Sequence, residues 1–173
     1  RLPGAVVMVV QGGKQLVFEA LGQQNPNDGT RMALDSIFRI YSMTKPIVSV
    51  AVMMLMEQGK LLLNDSVSKY LPEFSKQRVA LEANGEVSYV STKNDATIQD
   101  LLRHTSGLTY EFLGNTAVQK AYRSSKIGMS LRDANNAEFS KLLAALPLQF
   151  EPSTAWEYSR ATDVLGSLVE VVS

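Results

Sequence analysis

The apolar positions at the start of the chain follow two patterns that are typical of strands. Residues 5–10, AVVMVV, form a continuous apolar run of the length expected for a buried strand. Gly12-Gly13 is a tight-turn signal, and apolar side chains then alternate with others over residues 16–20. The pattern predicts a β-hairpin, followed by a loop over Gly22–Asp35.

The longest apolar stretch lies in the next segment, Phe38–Gly59, FRIYSMTKPIVSVAVMMLMEQG. It predicts a short extended segment, an abrupt turn, and a helix that is apolar nearly all round and therefore buried in the core. Pro46 suits the first turn of this helix, where its missing N–H has no intrahelical partner to lose. Gly59 is expected to end the helix in a left-handed conformation.

Weaker patterns predict further elements. They are a small strand over Glu86–Val90, and helices over Thr97–Leu102, Asn136–Leu146 and Val164–Val172. The intervening segment, Glu111–Arg132, has few paired apolar positions, and we interpret it as a mobile flap.

Composition and charge limit the classes of molecule that the chain is expected to bind. The chain has 173 residues, 45% apolar and 20% charged, as in a globular domain or part of one. Its 17 basic and 17 acidic residues cancel, so no basic field would attract nucleic acid or an anionic membrane. The longest apolar run, Ile47–Met56, is far shorter than the roughly 20 residues of a membrane span.

The chemistry that the chain could perform is limited by two residue counts. There is no cysteine, which excludes thiol catalysis and disulfides within these residues, and there is one histidine, His104. A histidine-rich zinc site is therefore not expected, and a Ser-His-Asp triad would depend on His104 alone. We expect no metal or cofactor, and an activated serine would use lysine or tyrosine as its base.

Ser42 and Lys45 form such a candidate pair at the start of the apolar helix. Residues three apart on a helix have Cβ atoms about 5–6 Å apart, so hydroxyl and amine could meet. To act as a base the lysine must be neutral, and burial is expected to lower its pKa by roughly three units. The alternative is a helix-capping serine beside a solvated lysine.

A second S-x-x-K sequence, Ser66–Lys69, shows that the tetrapeptide alone is a weak signal. It follows Asn64-Asp65 and no deep apolar helix comes after it. We interpret it as the capped start of a short surface helix.

Four segments together resemble a known family, the serine β-lactamases and penicillin-binding proteins, in particular class C β-lactamases and related esterases. The segments are SMTK (42–45), KYLPEF (69–74), LLRHTSGL (101–108) and FEPSTAWEYS (150–159). The resemblance implies an α/β fold of α+β type, with a helical cluster packed on an antiparallel sheet. Residues 1–173 would be the N-terminal portion of one such domain, without its C-terminal strands and third motif.

The resemblance also implies roles for individual residues. Ser42 would be the nucleophile, Lys45 would help to deprotonate it, and Tyr158 would be a second acid or base. His104 would be a turn residue that packs near the site. Without the resemblance, the preferred interpretation of Tyr158 is an amphipathic ring packed beside Trp156, which we expect in the core.

Two positions depart from the family pattern. Arg160 stands where many relatives have an asparagine that helps to hold the amide of β-lactams, which favours esters as substrates. Ser153 replaces a usual glycine, which predicts a turn without positive φ. The expected function is a serine hydrolase acting on small-molecule esters or amides. The alternatives are a β-lactamase or D-alanyl-D-alanine peptidase, and a catalytically silent binding module.

Overall fold

The structure, a computed structural model, describes residues 2–83, 86–125, 127–130 and 134–173. It divides the chain into two units, Arg1–Tyr41 and Ser42–Ser173.

The first unit is a β-hairpin with a short third strand. Strand β1 (Gly4–Gln11) pairs antiparallel with β2 (Lys14–Asn25), and β2 pairs with β3 (Thr30–Arg31). Gly12 and Gly13 form the two-residue turn with φ of 56° and 75°. Positive φ at both turn positions matches the twist of a hairpin, so the predicted hairpin is confirmed.

Two expectations about this unit were wrong. Residues 7–10 are 39–55% exposed rather than buried. A continuous apolar run indicates that both faces are covered, but among the described residues β1 pairs with β2 alone, and strand pairing covers an edge of a strand rather than its faces. The predicted loop over Gly22–Asp35 also contains the end of β2 and all of β3, and residues 26–29 form the turn between them.

The second unit is mainly helical. Its described helices are α1 (Thr44–Glu57), α2 (Ile98–Arg103), α3 (Ala117–Ser124), α4 (Ile127–Ser130), α5 (Asn136–Ala144) and α6 (Ala161–Val172). Strand β4 (Arg78–Ala83) pairs antiparallel with β5 (Glu86–Ser91), which confirms the predicted small strand and adds its partner.

Helix α6 lies at the centre of this unit. It packs against α1, α2 and α5. Val164, Leu165 and Leu168 are fully buried, and side chains of this kind contribute about 1.5–3 kcal/mol each on burial. The predicted C-terminal and amphipathic helices are thus confirmed as α6 and α5.

Helix α1 has the predicted start and end but not the predicted burial. A 3₁₀ turn, Tyr41–Met43, precedes it, and Gly59 follows it with φ 69°. Only Val52 and Leu55 are buried, because one side of the helix faces the core of its unit. Several of the other apolar side chains are more than half exposed: Ile47, Val50 and Met54.

Helix α2 begins and ends as predicted. The Thr97 hydroxyl accepts a hydrogen bond from the Asp100 amide, and the Asp100 carboxylate accepts one from the Thr97 amide. The helix ends at His104, whose φ is 59°. This reciprocal capping fixes where α2 begins.

The expectation of a mobile flap over Glu111–Arg132 was wrong for the described residues. The segment contains α3 and α4 and buries Val118, Tyr122 and Ile127 almost completely. A few apolar side chains are enough to pack this segment against the core, because Val118 and Tyr122 lie one helical turn apart on one face of α3. Lys126 and residues 131–132 lie outside the described residues.

The turn at Ser153 also differs from the prediction. Its φ is 67°, in the left-handed region that favours glycine. The Ser153 hydroxyl donates a hydrogen bond of 2.7 Å to Oδ1 of the buried Asp100. A hydrogen bond to a charged group contributes about 1.5–3 kcal/mol, which offsets the roughly 1–2 kcal/mol cost of this backbone conformation.

This balance predicts different effects for two small substitutions. Ser153→Ala loses the hydrogen bond and keeps the strain, so it should lower the free energy of unfolding by about 1.5–3 kcal/mol. Ser153→Gly loses the same bond but relieves the strain, and should cost about 1 kcal/mol less. Denaturant unfolding of the full-length variants would measure both. A larger loss for glycine than for alanine would contradict the assignment of strain to this turn.

Candidate active site

Ser42 and Lys45 come together at the start of α1. Ser42 is exposed in the 3₁₀ turn, directly after Tyr41, which has a φ of 45°. Lys45 is half-buried in the first turn of α1, and its Nζ lies 3.4 Å from Ser42 Oγ. The structure therefore brings hydroxyl and ammonium together, as expected for residues three apart on a helix.

Tyr158 approaches the same serine from the segment before α6. Its hydroxyl donates a hydrogen bond of 2.6 Å to Ser42 Oγ. Lys45 Nζ lies 4.7 Å from the centroid of the Tyr158 ring. All three residues predicted for the site thus lie within direct contact of one another.

The turn after α2 holds Tyr158 in place. The Glu157 amide donates to the carbonyl oxygen of His104 at 3.0 Å, and His104 Nδ1 lies 3.1 Å from Ser159 Oγ. The His104 and Tyr158 rings are 5.0 Å apart at their centroids. The Glu157 carboxylate accepts hydrogen bonds from Thr109 and Gln119. The residues on both sides of Tyr158 are therefore anchored to buried partners.

His104 supports this segment and makes its described hydrogen bond to Ser159 rather than to Ser42. Burial, and to a lesser extent the charge of Lys45, lower the pKa of His104, so its ring is neutral at pH 7. Trp156 is 66% exposed beside the His104 ring, and the expectation that it lies in the core was wrong.

Sequence reasoning missed Tyr110. Its hydroxyl accepts a hydrogen bond of 3.2 Å from Lys45 Nζ. The only available signal was its place three residues after Gly107 of the HTSGL segment, since 65 positions separate it from Lys45.

Arg160 forms a buried ion pair with Glu111. Its Nη2 lies 2.6 Å from Oε1 and its Nε lies 3.1 Å from Oε2 of this carboxylate. Only 4% of Arg160 is exposed, and its guanidinium lies 5.0 Å from the centroid of the Tyr110 ring. The arginine is therefore occupied inside the protein and does not extend towards a ligand.

The electrostatics of the site contradict the expected pKa of Lys45. Burial pulls the pKa down, but attraction to the phenol oxygens of Tyr158 and Tyr110 outweighs it, so the pKa lies above its ordinary value. Lys45, and then Ser42, lower the pKa of Tyr158. The arrangement favours a lysine ammonium beside a tyrosine that loses its proton more readily than usual.

The second S-x-x-K sequence does not form a comparable pair. Ser66 shares a hydrogen bond with Ser68, and Lys69 Nζ lies 2.9 Å from the Asp65 carboxylate. The Tyr70 hydroxyl donates to the same carboxylate at 2.6 Å. Lys69 and Tyr70 therefore both bind Asp65, while Ser66 pairs with Ser68.

Two other kinds of feature are absent from the described ranges. Within them, no group of three or more histidine, aspartate or glutamate side chains is placed to hold a metal ion. No helix in the same ranges is both long and apolar enough to cross a membrane.

Comparison with known proteins identifies the family. The sequence matches the Beta-lactamase family model over residues 1–173, so the chain belongs to this family. Esterase EstB of Burkholderia gladioli is 39% identical over 170 residues, which are 98% of this chain and 41% of EstB.

Solved structures agree on the fold, which is the mixed α/β fold of β-lactamases and transpeptidases. EstCE1, a hydrolase with promiscuous acyltransferase activity, is 34% identical with a TM-score of 0.78. Simvastatin synthase (LovD) of Aspergillus terreus is 25% identical with a TM-score of 0.75. The match to EstCE1 covers 98% of this chain and 42% of EstCE1, and that to LovD 99% and 44%. The chain thus spans about two fifths of each relative's length.

The pKa of Tyr158 offers a direct test of the site's electrostatics. Lys45→Met removes the cation that lowers this pKa, so Tyr158 should titrate at higher pH than in the unchanged protein. An NMR titration of ¹³Cζ-labelled tyrosine would measure the shift, with Tyr158→Phe to assign the signal.

The matched control is Lys69→Met, which removes a lysine that lies over Tyr70 in the other S-x-x-K sequence. It should leave the Tyr158 titration unchanged. The electrostatic interpretation fails if Tyr158 titrates at the same pH with and without Lys45.

Proposed function

We propose that the protein is a serine hydrolase of the β-lactamase family that cleaves carboxylic esters through an acyl-enzyme on Ser42. The observation that carries the proposal is the contact of Ser42 Oγ with Tyr158 Oη at 2.6 Å and with Lys45 Nζ at 3.4 Å. A serine needs an adjacent base to become a nucleophile, and this arrangement provides one.

Tyr158 is the proposed base in the first half of the reaction. Loss of its proton reverses the hydrogen bond with Ser42, so that the phenolate accepts from the serine hydroxyl. Ser42 Oγ then attacks the carbonyl carbon of the ester while its proton moves to Tyr158. The tetrahedral intermediate collapses, the C–O bond to the alcohol breaks, and Tyr158 returns the proton to the leaving alkoxide.

In the second half of the reaction, Tyr158 acts as the base for a water molecule. The Tyr158 phenolate takes a proton from a water molecule as the water oxygen attacks the acyl carbon. The bond to Ser42 Oγ then breaks, and the proton passes from Tyr158 to the serine. This releases a carboxylic acid and restores the starting state.

Lys45 and the start of α1 supply positive charge to these steps. The Lys45 ammonium stabilises the phenolate electrostatically, and its raised pKa keeps it charged. The helix N-terminus carries about half a positive charge, which favours negative charge developing on the carbonyl oxygen near Ser42.

The surroundings of the serine support esters over β-lactams as substrates. The asparagine that helps to hold the β-lactam amide in many relatives corresponds to Arg160 here, and Arg160 is buried against Glu111. The similarity to an enzyme named esterase EstB supports the same choice.

Transfer of the acyl group to an alcohol is a second candidate function. It is supported by the exposed position of Ser42 and by similarity to EstCE1, a hydrolase with promiscuous acyltransferase activity. Adding an alcohol during turnover and measuring the ratio of new ester to free acid would separate transfer from hydrolysis.

Ser42→Ala in the full-length protein tests the proposal. It should abolish hydrolysis of a short-chain p-nitrophenyl ester and remove the single adduct formed with a fluorophosphonate probe, because Ser42 Oγ is the proposed acylated atom. Ser66→Ala, the matching change in the other S-x-x-K sequence, should retain both. Intact-mass spectrometry and ester turnover provide the measurements.

Undiminished ester turnover in Ser42→Ala would refute the proposal. Faster turnover of a chromogenic cephalosporin than of the ester would instead favour the β-lactamase alternative. A protein with neither turnover nor adduct would correspond to the catalytically silent module.

A further inference from the structure

The Lys45 ammonium has a second phenol partner besides Tyr158. Tyr110 Oη accepts its hydrogen bond at 3.2 Å, and the Tyr110 and Tyr158 rings are 5.4 Å apart at their centroids. Tyr110 has no contact with Ser42 among the described hydrogen bonds, so it acts on the lysine rather than on the nucleophile.

Two side chains, Phe112 and Arg160, lie against the Tyr110 ring. Phe112 stacks on it with a centroid distance of 4.8 Å and an angle of 26°. The Arg160 guanidinium lies 5.0 Å from its centroid, and Glu111, the next residue in the chain, binds Arg160 through two hydrogen bonds. A guanidinium paired at two atoms has a fixed orientation, which restricts the ring beneath it.

We propose that Tyr110 is a positioning residue for Lys45, and that the buried Glu111–Arg160 ion pair holds Tyr110 in the required place. This inference rests on the proposed function, in which the ammonium must stay beside Tyr158. A lysine side chain has many rotamers, so an ammonium without a fixed partner would spend much of its time in solvent. The Tyr110 hydroxyl gives it a fixed acceptor inside the site.

Loss of this acceptor has a defined effect on the charges around Lys45. The groups that interact with the ammonium are the two phenols, the neutral ring of His104, and Asp163 in the first turn of α6. Without the Tyr110 hydroxyl, one of the contributions that raise the pKa of Lys45 disappears. The ammonium would then lose its proton at lower pH.

The test compares Tyr110→Phe with the unchanged full-length protein in hydrolysis of a short-chain p-nitrophenyl ester. Misplacing a reacting group slightly can reduce rates by 10²-fold, so we expect kcat/KM to fall by about 10- to 100-fold, mainly through kcat. The alkaline limb of the pH profile should also move to lower pH, which a merely structural change would not cause. Tyr89→Phe, a change in a half-exposed tyrosine of β5, should leave both unchanged.

The ion pair is tested by replacing both of its members with uncharged side chains of similar size, Glu111→Gln with Arg160→Met. Replacing both avoids an unpaired buried charge, which removal of one partner would leave. As for Tyr110→Phe, we expect kcat to fall and the alkaline limb of the pH profile to move to lower pH. Adding Tyr110→Phe to this double variant should have less effect than in the unchanged protein, because the residues act through one another.

Titration of Tyr158 by ¹³Cζ NMR provides a readout that does not require turnover. In Tyr110→Phe the ammonium is held less firmly, so Tyr158 should titrate at higher pH. Unchanged Tyr158 titration and an unchanged pH profile in Tyr110→Phe would overturn the proposal. Failure of the proposed function would appear separately, as undiminished ester turnover in Ser42→Ala.

Discussion

The packing of α6 against α1 is the contact on which the candidate site depends. Ser42 precedes one helix and Tyr158 precedes the other, so the 2.6 Å hydrogen bond between them joins positions 116 residues apart. The buried side chains Val164, Leu165 and Leu168 keep α6 in place. Since interiors are close-packed, a change in this apolar contact would shift Tyr158 relative to Ser42.

A second layer of support is polar and surrounds Tyr158 and its neighbours. His104 and Thr109 follow the same capped helix, α2, and they hold Ser159 and Glu157 on either side of Tyr158. The result is an ammonium shared by two phenols next to a serine hydroxyl. The positive charge of Lys45 stabilises the phenolate form of Tyr158 and so lowers the pKa of Tyr158. Attraction to the two phenol oxygens stabilises the ammonium and so raises the pKa of Lys45.

Local spacing was sufficient to predict some of this arrangement. Ser42 and Lys45 lie one helical turn apart, and Thr97 and Asp100 have the spacing of a capping box, so short-range geometry determined both contacts. Tyr158 was identified only through resemblance to a family, since its partner is distant in sequence. Burial was predicted less well, because the apolar runs in β1 and α1 do not reveal which of their faces is covered. The predicted pKa of Lys45 was wrong because it counted burial alone and not the attraction of the ammonium to the phenol oxygens of Tyr158 and Tyr110.

The position of the Arg160 side chain is determined by its contacts with Glu111 and Tyr110. A guanidinium that is 4% exposed needs a partner, since an unpaired buried charge is strongly destabilising. Glu111 provides two hydrogen bonds, and the pair then lies against Tyr110, which contacts Lys45. Arg160 therefore connects the N-terminus of α6 to Lys45 through an ion pair and an aromatic ring. Under the role proposed for Tyr110, the identity of residue 160 would affect the charge state next to Ser42.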